Sequence, residues 1–111
     1  MHTISLPAGT AARLHIIPEP QAQGFPHAVV VAPPGREATP AAFAALLTEP
    51  GGMAALLTHD AGLAWTDRAG EILLAATIER GGVAVMAFIN LADAMAACRR
   101  VRGLVAPGGA A

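Results

Sequence analysis

Apolar residues are most concentrated between residues 71 and 89, where two runs are separated by Arg80-Gly81-Gly82. The pattern predicts a strand at 71–79 and a returning strand at 83–89, joined by a hairpin in which glycine permits positive φ. A further strand is expected at 62–66. Both strands of the hairpin are apolar on both faces, whereas a strand with one face in water alternates with polar residues. The pattern therefore predicts a hairpin that is covered on both sides.

Shorter apolar segments precede this hairpin. Residues 2–6 and 12–17 flank a turn-rich Pro-Ala-Gly-Thr segment and predict a first hairpin. The β-branched run at 27–32 predicts a buried strand. Residues 18–26 contain three prolines and a glycine, so they predict a loop, and the isolated Phe25 is expected to anchor that loop to the core.

Three segments have the pattern of helices. Thr39-Pro40 is a good helix start, and the apolar stripe that follows predicts a helix to residue 49. The apolar segment 52–59 predicts a second helix. Asn90 is expected to cap a third helix that ends near Gly103. The buried stripe expected on this last helix consists of Leu91, Ala94, Met95, Cys98 and Val101.

These elements predict one α+β domain. We expect a mostly antiparallel sheet of about five or six strands, with two or three helices on one face. The length of 111 residues suits a single domain. We expect this domain to span residues 1–105 and a flexible tail to follow at 106–111.

Two family resemblances accompany this order. The phrase GLAWTDRAGEILLA, residues 62–75, resembles the opening strand and turn of a PAS sensor domain. The core order of two strands, helix, three strands and helix is similar to Roadblock and profilin-like scaffolds. These resemblances imply a sensory or regulatory domain and assign no functional residue.

Composition narrows the function classes. The chain is 54% hydrophobic and 14% charged, with a net charge of −1 and no basic stripe, which disfavours nucleic-acid binding. No apolar run reaches the ~18 residues of a membrane span, and the start lacks the pattern of a signal peptide. The arginine-only, alanine-rich usage is typical of a GC-rich bacterial genome, so we expect a bacterial cytoplasmic protein.

Chemistry-bearing residues are few. The four histidines lack the spacing of a metal pair, and the single Cys98 permits neither an intramolecular disulfide nor a thiolate zinc site, so no metal and no cofactor are predicted. The strand–helix junction at 33–37 is the best place for a small ligand, since it presents free backbone amides near a helix start. This hypothesis of a ligand-binding or enzymatic domain assigns Arg36, His27 and His59 to the site.

The leading hypothesis is a non-catalytic protein-interaction or assembly module. A chain with few charges and a doubly apolar hairpin is expected to bury surface against itself, as a homo-oligomer, or against a protein partner. We expect self-association through the 71–89 hairpin. The predicted contact residues are Trp65, Leu73, Met86 and Phe88.

Overall fold

The computed structural model describes residues 4–18, 24–36, 39, 54–58 and 68–106. Within these residues the chain forms four strands and two helices. In chain order they are β1 (Ala11–Ile16), β2 (His27–Ala32), β3 (Ala54–Thr58), α1 (Arg68–Glu79), β4 (Val83–Phe88) and α2 (Leu91–Leu104).

The four strands form one sheet in the order β1-β2-β4-β3. Strand β2 is antiparallel to both of its neighbours, β1 and β4, and β3 lies parallel to β4 at the edge. In the central register, Val30 of β2 is paired with Arg13 on one side and Val85 on the other. Because parallel strands cannot be joined by a tight turn, α1 returns the chain from β3 to the start of β4.

The α+β class is confirmed, but the prediction of five or six strands is wrong. Residues 71–79 belong to α1, and residues 54–58, predicted as helical, form β3. Helix α1 ends in a Schellman motif: Gly82 N–H donates to the Thr77 carbonyl at 2.9 Å and Gly81 N–H to the Ile78 carbonyl at 3.0 Å, with φ of 79° at Gly81. The glycine pair that suggested a hairpin therefore ends a helix, and the 71–89 hairpin does not exist.

The N-terminal hairpin prediction is also wrong. Leu6 forms a parallel bridge with Val105, with its N–H donating to Leu104 O at 2.8 Å and its own carbonyl accepting from Ala106 N–H at 2.9 Å. Residues 4–6 therefore lie against the end of α2 and not against β1. The predicted helix at 40–49, the strand at 62–66 and the tail beyond Ala106 lie outside the described residues.

Both faces of β2 and β4 are buried, so the predicted coverage on two sides holds for residues 83–88 but not for 71–79, which are helical. Helices α1 and α2 cover one face, and their side chains pack with those of Val29, Val31, Met86 and Phe88. On the second face the alternate residues of β2 and β4 are only 0–2% exposed. Ile17 and the half-buried Phe25 pack against this second face, which confirms the anchoring expected of Phe25.

Helix α2 follows the prediction in position but not in the width of its buried stripe. It begins after Asn90, whose side chain makes no hydrogen bond to the helix backbone and instead donates to Asp93 Oδ2 at 3.4 Å. Its buried residues are Ala94, Ala97, Cys98 and Val101. Neither described helix is long and apolar enough to cross a membrane.

In the segment that resembles a PAS opening, residues 68–75 belong to α1, and residues 62–67 lie outside the described residues.

Candidate functional site

The structure separates the residues predicted to bind a small ligand. His27 is the first residue of β2, and Arg36 lies four residues beyond the end of the same strand. Since strands rise ~3.3 Å per residue, β2 alone places them ~17 Å apart. Arg36 instead lies beside the turn after α1, with Nη1 3.4 Å from the Gly81 carbonyl oxygen. His59 lies outside the described residues.

The residues predicted to form an interface also separate. Met86 and Phe88 are completely buried, at 0% exposure, between the sheet and the helices. Leu73 is on the surface of α1, 42% exposed. Trp65 lies outside the described residues. Met86 and Phe88 thus belong to the core of the monomer, and any contact surface must be built from other side chains.

Cys98 is placed for packing. It is 3% exposed, and its Sγ lies 3.5 Å from the carbonyl oxygen of Ala12. Burial raises the pKa of the Cys98 thiol, and the nearby positive charge of Arg102 acts in the opposite direction without reversing the shift. The thiol is therefore neutral at physiological pH. In the described part of the chain, no three His, Cys, Asp or Glu residues lie close enough to hold a metal ion.

Large apolar side chains are exposed at one corner of the molecule, which we call the corner patch. The strands β1 and β4 end there and α2 begins there, so residues from all three elements meet at the same end of the sheet. Ile16 is the most exposed, at 73%. The other four residues are between 41% and 49% exposed. The corner patch consists of Leu14, Ile16, Ile89, Leu91 and Met95.

The register and the helix geometry place Leu14, Ile16 and Met95 on the same side of the sheet, and Ile89 and Leu91 lie at the same end of it. Every second side chain of a strand points to the same face, so Ala12, Leu14 and Ile16 lie on one side of β1. Ala12 is buried on that side, beneath α2. On α2, Met95 and Arg102 lie two turns apart on one flank. Because Arg102 reaches the Ala12 carbonyl, this flank faces β1. Met95 therefore lies on the β1 side of α2, towards the exposed end of the strand.

Strand β1 is an edge strand. It pairs with β2 on one side, and no described strand pairs with it on the other. Ile17 N–H donates to the Pro26 carbonyl at 2.8 Å, which continues the β1–β2 ladder. Since the peptide groups of an antiparallel pair alternate in direction, odd-numbered residues of β1 bond to β2 and even-numbered residues point outwards.

One outward group of this edge is already occupied. The Ala12 carbonyl accepts hydrogen bonds from Arg102 Nε at 3.1 Å and Arg102 Nη2 at 2.9 Å. The outward N–H and C=O groups of Leu14 and Ile16 have no such partner among the described residues. The site therefore combines the N–H and C=O groups of two residues, Leu14 and Ile16, with apolar side chains beside them.

Sequence reasoning missed this surface. The alternation of Leu14 and Ile16 with Arg13 and His15 was visible and is typical of a strand with one polar side. The position of β1 at the sheet edge was not visible, because strand order depends on long-range packing. Leu91 and Met95 were predicted to be buried, and both are exposed because the alanines of α2 make the closest contact with the sheet.

No family model matches this chain, and no curated protein or solved structure shows significant similarity to it.

Proposed function

We propose that this chain is a protein-interaction or assembly module of a bacterial cytoplasm, and that its contact surface is the outer edge of β1 together with the corner patch. The observation that carries the proposal is Ile16, which is 73% exposed on a strand whose outward N–H and C=O groups at Leu14 and Ile16 have no partner among the described residues. Exposed strand edges are usually protected in proteins because they pair readily with other chains. An open edge flanked by apolar side chains suits the addition of a strand from a partner.

The size of the corner patch supports the same proposal. The exposed fractions of its five residues correspond to about 450 Å² of residue surface, within the ~300–600 Å² of the largest and often functional patch of a monomer. The patch replaces the 71–89 hairpin as the expected contact surface. The hypothesis of a ligand site near Arg36 and His27 loses its basis, because the two side chains lie at opposite ends of β2.

A photo-cross-linking residue at position 16 tests the proposal. Benzoylphenylalanine would replace Ile16 in one variant and Ile72 in a matched control, since Ile72 is also an exposed isoleucine, at 53%, but lies on α1. After irradiation of cells that express the protein, we expect covalent adducts with protein from position 16 and few or none from position 72. Equal yields at the two positions, or no adduct at position 16, would refute the proposal.

A further inference from the structure

We propose that the partner at this edge is a second copy of the same chain, joined by antiparallel pairing of the two β1 strands about a twofold axis between the two His15 residues. The inference rests on the proposed function and names its partner. The sheets of the two copies then become continuous, and the two corner patches lie on the same side of the joined sheet.

The open peptide groups select this register. When two copies of one strand pair about a twofold axis, the numbers of any two residues that face each other add up to the same total. With His15 opposite His15, Leu14 of one copy faces Ile16 of the other, and both residues carry outward groups. Each Leu14–Ile16 pair exchanges two hydrogen bonds, because a hydrogen-bonded antiparallel pair satisfies both N–H and C=O groups. All the open groups of Leu14 and Ile16 are thus satisfied.

Neighbouring registers leave groups without partners. If Leu14 faced Leu14, Ile16 N–H would point at the Ala12 carbonyl of the other copy, which Arg102 already occupies. If Ile16 faced Ile16, Leu14 would face Pro18, which has no N–H to donate. In the proposed register Ala12 faces Pro18, so the carbonyl that needs no further donor is opposite the residue that has none. This complementarity is a property of β1 paired with itself, which favours a second copy over an unrelated strand.

Side chains and area agree with a weak dimer. On the helix-covered side, Leu14 lies opposite Ile16 of the other copy, which is an apolar pair at each end of the short ladder. Two corner patches expose about 900 Å² of residue surface in total, below the ~1,200 Å² where stable specific interfaces begin. We therefore expect a reversible dimer whose population depends on protein concentration.

Analytical ultracentrifugation of the full chain tests the partner. From about 1 µM to about 500 µM, the wild-type protein is expected to shift from monomer to dimer. Ile16→Lys places a charge in the symmetric contact twice, once in each copy. Each charge is expected to raise the dissociation constant about tenfold, so the variant should raise it about a hundredfold. Ile72→Lys changes an equally apolar residue on α1 and is expected to leave the dissociation constant unchanged.

Disulfide trapping tests the register. In a Cys98→Ala background, His15→Cys places two thiols in a non-hydrogen-bonded pair with Cα atoms about 4.5 Å apart, close enough for a disulfide. Leu14→Cys is the control, because two residues at position 14 are diagonal neighbours, separated by about 7–8 Å. We expect a covalent dimer from His15→Cys under oxidation and little from Leu14→Cys, with far-ultraviolet circular dichroism confirming that both variants are folded.

The outcomes separate this inference from the proposed function. A monomer at every concentration would overturn the second copy, and cross-links from position 16 to a different protein would leave the interaction function standing. Preferential trapping of Leu14→Cys would overturn the register. If Ile16→Lys and Ile72→Lys weakened the dimer equally, the edge of β1 would not be its contact surface.

Discussion

Replacing Arg102 with methionine tests how α2 is held on the edge of β1. The side chain of Arg102 donates two hydrogen bonds to the Ala12 carbonyl, at 2.9 and 3.1 Å, and this carbonyl is the outward group nearest the buried end of the strand. Methionine keeps an unbranched apolar stem of similar reach and removes the guanidinium. The variant therefore loses the two hydrogen bonds with little change in packing.

The expected loss is modest, because the contact lies where water can replace it. A hydrogen bond from a charged donor contributes about 1.5–3 kcal/mol when it is shielded from solvent. Arg102 is exposed and its acceptor is at the sheet edge, so we expect a decrease in the free energy of unfolding of about 1 kcal/mol. With a urea m-value of about 1–2 kcal/mol/M, the midpoint should fall by about 0.5–1 M.

Urea unfolding monitored by circular dichroism at low protein concentration gives this midpoint for the monomer. Arg99→Met is the matched control, since Arg99 is an exposed arginine of the same helix. It lies about 60° further round the helix than Arg102, given 100° per residue. The control is expected to shift the midpoint by less than a third of the Arg102→Met effect. Equal shifts in the two variants would refute the role of the Ala12 contact and, with it, the placement of this flank of α2 beside β1.

Three further predictions test other parts of the fold. Phe88→Ala should lower the free energy of unfolding by about 3–5 kcal/mol, because Phe88 is 0% exposed. Leu73→Ala should lower it by less than about 1 kcal/mol, because Leu73 is 42% exposed. Similar urea midpoints for the two variants would contradict the burial of Phe88. Glu71 and Arg100 form a 2.7 Å ion pair between α1 and α2, and the arginine is half exposed. A double-mutant cycle with Glu71→Gln and Arg100→Met should therefore give a coupling free energy of no more than about 1 kcal/mol. The pKa of Cys98 is raised in the folded state, so the folded state holds the thiol proton more tightly than the unfolded chain does. The free energy of unfolding should therefore be constant below the thiol pKa of the unfolded chain, about 8.5. It should fall as pH rises from there through the folded pKa. The chain has neither lysine nor tyrosine, so this alkaline slope should be absent in Cys98→Ala, and its persistence there would contradict the assignment.

Several elements of this fold were predictable because their sequence patterns have one interpretation. The β-branched run at 27–32 is too short for a buried helix and became the central strand β2. Asn90 and the apolar spacing after it predicted α2. The absence of polar alternation in β4 indicated that both of its faces are covered, and each residue of β4 is buried.

Residues 71–79 show why the rest of the fold was not predictable. Their apolar run fits a strand by alternation and a helix by the four-residue spacing of Leu74 and Ile78, which are buried apolar residues of α1. The following glycines fit either a hairpin turn or the end of a helix, since both need a positive φ. Local sequence does not separate these alternatives. The parallel pairing of β3 with β4 decides between them, because it requires a crossover between the two strands.

The candidate site was less predictable than the fold. Its apolar residues come from β1, from the end of β4 and from the start of α2, and only the sheet order brings these three segments to one corner. The sequence showed the polar and apolar sides of β1, but the register that turns the groups of Leu14 and Ile16 outwards follows from the pairing with β2. Met86 and Phe88 were plausible contact residues only while 71–89 was interpreted as an exposed hairpin.

Amide hydrogen exchange of β1, measured residue by residue at low and high protein concentration, tests the central claim most directly. The N–H groups of Arg13 and His15 bond to β2 within the monomer, so they serve as internal controls and should exchange slowly at both concentrations. The N–H groups of Leu14 and Ile16 point outwards, so they should exchange rapidly in the monomer and become protected, by about tenfold or more, as the dimer forms. Unchanged exchange at Leu14 and Ile16 while the protein dimerises would contradict pairing at this edge.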